Sequence, residues 1–357
     1  VRALPATTLD PSGYATAKSY FTALRSPLTT ANGARKDKFH FTYDTPAWVA
    51  LAQSGVSYGY GFEIALISST VPRNATIAFT APGSPEASQL SRGTVILTVD
   101  GADVVNGTDT ATLNAGLFPA AAGPHTFVVR DAGTTASRTL TLNARQVTSV
   151  PVQNVRTLPA PNDHVGYLLF NDHIATAEAQ LVNAVNTLKA ANVTDLVLDI
   201  RYNGGGYLDI AAELAYMIAG PVNTAGKVFE KLAYNDRNPF TPRTTAFWSN
   251  SPGISGGLPA GTALPNLGLS RVYVLTSADT CSASEAIING LRGAGVTVNV
   301  IGGTTCGKPY GFFPKDNCNV TYFAIQFQGV NNLGYGDYAD GFTPDCSASD
   351  DYAHART

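Results

Sequence analysis

The sequence contains little charge and no long hydrophobic run. Only 14% of its 357 residues are charged, and 23 Lys and Arg stand against 26 Asp and Glu, for a formal net charge of −3. A chain without a block of one sign does not track a phosphate backbone, so nucleic acid is not an expected partner. No run reaches the roughly 18 to 20 apolar residues that cross a bilayer, so no transmembrane segment is predicted in this chain. The length nevertheless allows a large core and about two to three domains.

The sequence also has little methionine and lysine, while Thr, Ala, Gly and Asn are abundant. This composition favours an exported bacterial protein over a cytosolic one. The chain begins at Val1, without a basic n-region and an apolar h-region, which is consistent with earlier removal of a signal or a lipid anchor. We therefore expect a periplasmic or otherwise extracytoplasmic location, with lipid anchoring before processing as an open option.

Cysteine is limited to four residues, all in the last quarter of the chain. No Cys-x-x-Cys spacing suggests zinc, and we expect neither a metal nor another cofactor. Four cysteines allow three pairings. We expect one disulfide between Cys306 and Cys318, across a predicted hairpin, and a second between Cys281 and Cys346, since both would be stable in an oxidising compartment. Four thiols in a reducing cytosol are the alternative.

The hydrophobic periodicity divides the chain into three parts. Residues 1–53 form an N-terminal helical segment, with helices predicted over 14–26 and from Thr45 onwards. Residues 54–147 contain short β-rich runs separated by Gly, Pro, Asn and Asp, which are typical of a small β module. Residues 148–357 alternate strands with helices. This alternation predicts an α/β domain with a largely parallel sheet and a site at the carboxyl ends of its strands.

Three short segments follow predicted strands in the α/β part. The first is Asp199-Ile-Arg-Tyr-Asn-Gly-Gly-Gly206. The three glycines, Gly204, Gly205 and Gly206, let the backbone turn sharply and expose N–H groups towards a bound oxygen, as an oxyanion hole requires. An ordinary strand-to-helix turn is the alternative, and a P-loop is excluded because no Gly-Lys-Ser/Thr follows.

The second segment is Thr280-Cys-Ser-Ala-Ser-Glu285. Ser282 and Glu285 have the spacing of a capping box, which predicts the start of a helix. The functional interpretation is that Ser282, at the positive end of that helix, is a nucleophile. Ser284 is a competing hydroxyl, and Cys281 competes if it is not in a disulfide.

The third segment is Cys306-Gly-Lys308. An exposed lysine has a pKa of about 10.4 and is a poor base at neutral pH, but burial can lower that pKa by several units. A desolvated Lys308 could therefore accept the proton of a serine. A solvated lysine on a loop is the alternative.

Together the three segments resemble the carboxyl-terminal processing peptidases, also called tail-specific proteases, which are serine peptidases with a Ser/Lys dyad and usually a PDZ domain. The resemblance rests on the order, spacing and strand context of the segments across residues 150–345. It implies an α/β catalytic domain with a crotonase/ClpP-like layered fold. It further implies that Ser282 is the nucleophile and Lys308 the general base, while the Gly204-Gly205 turn and the amide of Ala283 form the oxyanion hole.

The resemblance also suggests a role for the β module as a PDZ-like domain. The run Tyr58-Gly-Tyr-Gly-Phe62 resembles the PDZ loop whose amides capture a peptide carboxylate while the peptide adds as a strand. The expected carboxylate-binding residues are Gly59, Tyr60, Gly61 and Phe62. A hairpin in which the two glycines only permit a turn is the alternative.

The expected function is that of a serine endopeptidase acting on protein or peptide substrates recognised near their C-terminus. Some family members carry an acid about eleven positions after the serine, where this chain has Arg292-Gly-Ala, so a third catalytic residue is left unassigned. The alternatives are an inactive peptide-binding scaffold of the same fold, a crotonase-like acyl-CoA enzyme, and a Ser/His/Asp hydrolase. The last would use His164 or His173, although their turn-like surroundings favour surface or capping roles.

Overall fold

The computed structural model describes residues 9–84, 86–236, 241, 243–254 and 257–353, and the chain divides into two compact units. One unit combines the N-terminal part up to Gln53 with Pro151–Ser349, and the other consists of Ser54–Val150 and the chain from Asp350 onwards. The N-terminal segment therefore shares a unit with the α/β part. None of the described helices has the length and apolar character needed to cross a membrane.

The helices and strands follow the hydrophobic patterns of the sequence. The helices are α1 (Ala17–Ala23), α2 (Thr45–Ser54), α3 (Thr110–Leu117), α4 (Ala177–Ala190), α5 (Leu208–Thr224) and α6 (Ala283–Gly293). The strands are β1 (Phe41–Asp44), β2 (Val56–Gly59), β3 (Phe62–Ser68), β4 (Asn74–Thr80), β5 (Val95–Val99), β6 (Ala102–Asp103), β7 (Gly123–Arg130), β8 (Ser137–Thr148), β9 (Val152–Thr157), β10 (Val165–Phe170), β11 (Asp195–Asp199), β12 (Val228–Tyr234), β13 (Arg243–Ala246), β14 (Arg271–Thr276), β15 (Thr297–Gly302), β16 (Tyr310–Gly311), β17 (Lys315–Asn317), β18 (Val320–Phe323), β19 (Phe327–Val330) and β20 (Cys346–Ser347).

The first helix is shorter than the predicted 14–26. It starts after Thr16, whose hydroxyl accepts from the backbone N–H of Ser19 at 3.1 Å, while the Ser19 hydroxyl accepts from the backbone N–H of Thr16 at 3.1 Å. This reciprocal pair is a capping box, which fixes the helix start at Ala17, three residues later than the apolar pattern suggests.

The main sheet of the first unit explains why the three sequence segments meet. Within the described residues, six strands follow the order β20-β15-β14-β11-β10-β9, parallel except for the pairing of β10 with β9. In this register Asp199 lies opposite Leu275, and Thr276 lies opposite Gly302. The carboxyl ends of β11, β14 and β15 therefore lie side by side at one edge of the sheet, and each is followed by one of the three segments.

Two smaller sheets complete the first unit. The antiparallel order β13-β12-β19-β16 forms one of them, and β1 joins the hairpin of β17 and β18 to form the other. In the latter, Phe41 stacks on Phe323 with ring centroids 4.2 Å apart, and Trp48 of α2 meets Phe323 edge-on at 4.8 Å. These rings attach the N-terminal segment to strands near the end of the chain.

The core of the first unit lies between the main sheet and the helices on it. The predicted inward face of α4, formed by Leu181, Val185 and Leu188, is fully buried. Helix α5 is buried along most of its length and is interrupted at Gly220, which has a φ of 71°. Strands β10 and β11 read as continuous apolar runs because both of their faces are covered.

The second unit is an antiparallel sheet in the order β2-β8-β7-β5-β4-β3, with β6 paired to β5. Its core includes Ile77, Ile96, Phe127 and Leu142, all with no exposed surface. This β-rich composition agrees with the short strands expected between residues 54 and 147.

The cysteine pairing differs from the prediction. Cys281 is bonded to Cys306, with Cα atoms 5.2 Å apart, whereas Cys318 and Cys346 are exposed free thiols. The predicted pairs Cys306–Cys318 and Cys281–Cys346 are therefore wrong. The reason is the parallel pairing of β14 with β15, which brings the loops after these strands together so that the N–H of Cys306 donates to the carbonyl of Thr280 at 3.0 Å.

The two free cysteines lie away from this junction. Cys318 occupies the turn between β17 and β18, in a different sheet from the loop after β15. Cys346 lies in the edge strand β20, where it pairs with Ile301. The predicted hairpin beginning at Cys306 is replaced by separate pairings of β16 with β19 and of β17 with β18.

Candidate active site

Ser282 lies between the loop after β14 and the first turn of α6, in an unusual backbone conformation. Its φ is 59° and its ψ is −117°, a region that residues with a side chain rarely adopt. Such strain costs about 1–3 kcal/mol and persists only where the surroundings impose it. The loop before it is held by the Thr280 hydroxyl, which donates to the carbonyl of Ile200 at 2.9 Å, and by the N–H of Cys281, which donates to the carbonyl of Asn203 at 3.1 Å.

Gly205 fits against Ser282 because it has no side chain. A Cβ at this position would lie 2.8 Å from the Cβ of Ser282 and 2.9 Å from the amide nitrogen of Ala283, and the φ of Gly205 is 96°. Gly204 differs, since a Cβ there would meet no atom within 4 Å. Gly205 is thus in direct contact with the backbone at Ser282, whereas open space lies beside Gly204.

The side chain of Asn203 fixes this turn. Its Oδ1 accepts from the N–H of Gly205 at 3.0 Å and lies 2.9 Å from Nδ1 of His173, while its Nδ2 donates to the carbonyl of Phe170 at 3.0 Å. The amide of Gly205 is therefore already engaged. The expectation that Gly204, Gly205 and Ala283 donate to an oxyanion stays a prediction, and in this structure the N–H of Gly205 is directed to Asn203 instead.

The two histidines considered as catalytic bases have different surroundings. His164 is exposed on the turn before β10. His173 is fully buried, contrary to the expected surface or capping role, because the chain after β10 folds under the glycine turn and the N–H of His173 donates to the carbonyl of Gly205 at 3.2 Å. Burial lowers the pKa of His173 to about 3. A ring with so low a pKa is a weak base, which argues against a Ser/His/Asp arrangement.

Lys308 is buried among aromatic rings. It is 9% exposed, and its Nζ lies 4.5 Å from the ring centroid of Phe312 and 5.3 Å from that of Phe39. Burial lowers the pKa of Lys308 to about 8, although the nearby Glu285 carboxylate favours the charged form. Lys308 is therefore half neutral at about pH 8, and it is the neutral amine that can accept a proton.

Two residues of the N-terminal segment lie beside the loop that carries Lys308, which we call the lysine loop (Cys306, Gly307 and Lys308). Phe39 supplies one of the two rings beside Lys308, and the Nζ of Lys38 donates to the carbonyl of Cys306 at 3.0 Å. No sequence motif pointed to either residue, because both lie in an irregular stretch more than 260 positions before the lysine.

Glu285 connects the serine and lysine segments. Its Oε2 accepts from the N–H of Ser282 at 3.0 Å and from the N–H of Lys308 at 2.8 Å, while its Oε1 accepts from the N–H of Gly307 at 2.9 Å and from the Thr305 hydroxyl at 2.5 Å. The carboxyl group is fully buried, and desolvation raises its pKa while these hydrogen bonds oppose the shift. The capping-box spacing identified this residue, but not its bonds to the lysine loop.

The competing nucleophiles are both occupied. The hydroxyl of Ser284 is buried and donates to the carbonyl of Asn203 at 2.9 Å. Cys281 is in the disulfide. Cys281, Cys306 and Glu285 also bring potential metal-ligand atoms within 4.8 Å of one another. A metal would need the two sulfurs as thiolates, so the disulfide form does not present this group as a metal site.

Arg292 lies in the part of α6 where some members of the family carry an additional acidic residue, and its contacts are structural. Arg292, near the end of α6, donates to the carbonyl of Val298 at 3.1 Å and lies 3.4 Å from the carboxylate of Asp345. These contacts attach the end of the helix to β15 and to the chain before β20. Among the groups described around Lys308, the carboxylate with an electrostatic effect on it is that of Glu285.

Ser282 and Lys308 line the same cavity, which has a volume of about 670 Å³. Gly204, Gly205 and Ala283, the three predicted oxyanion donors, also line this cavity. Much of the wall is aromatic or aliphatic, formed by residues such as Phe41, Trp48, Leu232, Phe312, Phe313 and Phe327. The wall also contains the acidic residues Asp172, Asp209 and Glu230, and burial raises the pKa of Asp172 to about 7 and that of Glu230 to about 8. The cavity therefore suits a largely apolar peptide segment.

In the second unit, the predicted carboxylate-binding residues form the turn between β2 and β3. Gly59 ends β2, Phe62 begins β3, and Gly61 has a φ of 77°. The hydroxyl of Tyr60 donates to the carbonyl of Gly116 in α3 at 2.6 Å, and the carbonyl of Tyr60 accepts from the Ser84 hydroxyl at 2.7 Å. Within the described part of the chain, β3 pairs only with β4 and is an edge strand.

Comparison with known proteins places this geometry in a family. Residues 164–347, which contain Ser282 and Lys308, match the model of peptidase family S41. A carboxyl-terminal-processing protease from Picosynechococcus sp. is 31% identical over 143 residues, which cover 38% of this chain and 32% of that protein. The chain thus matches about a third of the length of this curated relative.

Two solved structures have a similar fold. A Bacteroides fragilis protein assigned to the S41 proteases is 22% identical, with a TM-score of 0.69, and the match covers 97% of this chain and 86% of that one. The photosystem II D1 C-terminal processing protease is 21% identical, with a TM-score of 0.55 and coverage of 93% and 80%. Since the family model matches more than half of the sequence, the chain belongs to peptidase family S41.

Proposed function

We propose that the protein is a serine endopeptidase in which Ser282 is the nucleophile and Lys308 the general base. The observation that carries this proposal is that a strained serine at a helix start and a desolvated lysine line one cavity. The Glu285 carboxylate supports the same pairing, because one of its oxygens binds the backbone of both residues.

The proposed reaction begins with neutral Lys308 accepting the proton of the Ser282 hydroxyl while Oγ attacks the peptide carbonyl carbon. The oxyanion accepts hydrogen bonds from the amides of Gly204 and Ala283, which lie at the open side of the glycine turn and at the N-terminus of α6. The Lys308 ammonium then protonates the leaving amine as the C–N bond breaks. Water hydrolyses the acyl-enzyme in a second cycle, with Lys308 again accepting a proton.

We further propose that the second unit is PDZ-like and binds the C-terminus of the substrate. The support is the tightly held turn formed by Gly59, Tyr60, Gly61 and Phe62, which leads directly into the edge strand β3. A free strand edge can accept an extended peptide as an added strand, and a glycine-containing turn can present amides to its carboxylate. The substrates are accordingly proteins or peptides with an accessible, unstructured C-terminus.

The activity is tested by incubating an unfolded protein with the parent and its variants and identifying fragments by mass spectrometry. Ser282→Ala and Lys308→Ala should each abolish cleavage while the far-ultraviolet circular dichroism stays unchanged. Matched controls are Ser270→Ala and Lys315→Ala, which remove an exposed hydroxyl and an exposed ammonium. Undiminished cleavage by folded Ser282→Ala would refute the assignment, and an inactive parent that binds peptides would instead identify a binding scaffold.

Recognition of the C-terminus is tested with the full-length Ser282→Ala variant and a fluorescent apolar peptide. Binding should weaken at least tenfold when the free carboxylate is replaced by an amide, because the charge-assisted bonds to the turn are lost. Equal affinity for both peptides would contradict a carboxylate-binding role of this turn.

We also propose an extracytoplasmic location. The support is the Cys281–Cys306 disulfide, since such bonds persist mainly in oxidising compartments. Cell fractionation followed by thiol alkylation should recover the protein outside the cytosol with this bond intact. Recovery of a reduced cytosolic protein would contradict the proposal.

A further inference from the structure

The disulfide lies directly beside the dyad. Cys281 precedes Ser282, and Cys306 lies two residues before Lys308. The bond therefore joins the segment that carries the nucleophile to the segment that carries the base, across a sequence separation of 25 residues.

Both joined segments have conformations that need support. Ser282 has a φ of 59°, and Gly307, next to Lys308, has a φ of 79° and approaches the carbonyl oxygen of Ala339 so closely that a Cβ would lie 2.2 Å from it. Lys308 also loses its hydration. Strained backbone and a buried amine are maintained only where neighbouring structure holds them.

We infer that the Cys281–Cys306 disulfide is a positioning element of the Ser282–Lys308 dyad, so that peptidase activity depends on this bond being closed. The inference rests on the proposed function of the site. The bond takes no part in proton transfer or acylation. It acts through the backbones of the two segments, whose side chains must come within hydrogen-bond reach of each other for the proposed proton transfer.

The hydrogen bonds around the dyad explain why opening the disulfide should loosen the site without unfolding the protein. The Glu285 carboxylate still binds the backbone of Ser282 and Lys308, and Lys38 still donates to the carbonyl of Cys306. These bonds keep the segments together but allow small shifts. A misplacement of about 1 Å between reacting groups costs up to about 100-fold in rate.

Both cysteines are partly exposed, so a small dithiol can reach them. A thiolate of the dithiol attacks one sulfur and releases the other as a thiolate, and the second thiol of the reagent then displaces the first cysteine. Two electrons pass from the dithiol to the protein, leaving two cysteine thiols and a cyclic disulfide of the reagent. Oxidised glutathione reverses the reaction.

The experiment measures kcat and KM on a fluorogenic peptide for oxidised, dithiothreitol-reduced and reoxidised protein. Reduction should lower kcat about 10- to 100-fold with little change in KM, and reoxidation should restore it. The Cys281→Ser/Cys306→Ser variant should have the low kcat under all conditions. The matched control is Cys318→Ser/Cys346→Ser, which removes the exposed free thiols and should retain the full redox response.

A second measurement follows Lys308 without requiring turnover. Competitive acetylation with acetic anhydride and mass spectrometry gives the apparent pKa of this lysine in Ser282→Ala, before and after reduction. Loosening of the segment should admit water and raise that pKa towards its ordinary value. The same covalent groups surround the lysine before and after reduction, and the charged or titratable ones are Glu285, Lys38, Asp172, His173, Tyr207, Asp209, Glu230, Arg243, Tyr310 and Tyr338.

The outcomes separate the disulfide's role from the proposed function. If the oxidised parent is inactive while the pKa of Lys308 still responds to reduction, the peptidase assignment fails, and what stands is that the disulfide positions the Lys308 segment. Full activity of a folded Cys281→Ser/Cys306→Ser variant, or an unchanged Lys308 pKa after complete reduction, would overturn the inference. If the double serine variant does not fold, reduction of the native protein decides the question, with its melting curve recorded in the same buffer.

Discussion

Gly205 packs against Ser282 so closely that a methyl group on Gly205 would lie 2.8 Å from the Cβ of the serine. A contact of this length is sterically forbidden, and the φ of 96° at Gly205 adds strain for any residue with a side chain. Only a glycine at position 205 therefore allows Ser282 to keep its observed backbone position.

The first prediction concerns Gly205→Ala. We expect it to lower the free energy of unfolding by about 1–3 kcal/mol and to lower kcat at least tenfold, because the serine backbone must shift. Chemical denaturation and steady-state kinetics measure the two effects. The control is Gly303→Ala, where the added methyl group would lie 3.5 Å from its nearest neighbour and the φ is not positive. Equal kcat for both variants would exclude the spacing role.

The second prediction is a pH profile. Lys308 must be neutral to accept a proton, and its pKa is about 8, so kcat/KM should rise as pH increases through about 8. Phe312→Ala should admit water to the ammonium and move the midpoint to a higher pH, although it also removes a cation–π contact that favours the charged form. A midpoint that is unchanged or lower in the variant would show that desolvation by this ring does not set the pKa.

The third prediction concerns Glu285→Gln. The amide has one oxygen in place of two and brings an N–H₂ group towards the N–H groups of Ser282, Gly307 and Lys308. We expect a loss of about 2–3 kcal/mol in stability and a fall in kcat of at least 100-fold, with KM affected less. Glu285→Asp keeps the carboxylate on a side chain that is one methylene shorter. A kcat between those of the parent and Glu285→Gln would show that part of the effect is due to the loss of the charge and part to the shorter side chain.

Glu213, a buried acid far from Ser282 and Lys308 in the sequence, should make the stability of the protein depend on pH. Burial raises the pKa of Glu213 to about 9, and the neighbouring Glu178 and Asp209 carboxylates contribute to the rise. A carboxyl group whose pKa is raised on folding stabilises the protein below its ordinary pKa of about 4.5, and this contribution is lost as pH increases towards 9. Glu213→Gln should therefore match the parent near pH 4 and exceed it by about 3 kcal/mol near pH 7.

Denaturant titrations at several pH values measure this difference. Asp163→Asn serves as the control, because its carboxylate is exposed and its removal should leave the pH dependence of stability unchanged. A Glu213→Gln variant with the same pH dependence as the parent would contradict the raised pKa.

Much of the main sheet and of the helices packed on it could be predicted from the sequence, because their apolar residues recur at the spacing of strands and helices. The segments ending at Gly206, Glu285 and Lys308 were correctly placed after strands, and parallel pairing brings such ends together whatever their distance in the sequence. The same physical rule would have predicted the Cys281–Cys306 bond. The wrong pairing came from assuming a hairpin after Cys306, where β16 and β17 instead join different sheets.

Other features depend on contacts that no local pattern encodes. The amide of Gly205 is occupied by the side chain of Asn203, which also bonds the ring of His173, and His173 is buried because the chain after β10 folds under the glycine turn. The rings beside Lys308 come from opposite ends of the chain, and Phe39 is surrounded by no regular pattern in the sequence. Such long-range contacts appear only once the three-dimensional packing is known.

The contribution of Phe39 and Lys38 has a practical consequence for engineering. Both residues lie far outside the stretch 164–347, so a fragment trimmed to the family-matching residues would lose one ring beside Lys308 and the ammonium that binds the carbonyl of Cys306. Water would reach Lys308 from that side, and its basicity would change even with Ser282 and Lys308 both present. A recombinant version that keeps this lysine shielded therefore has to begin before residue 38.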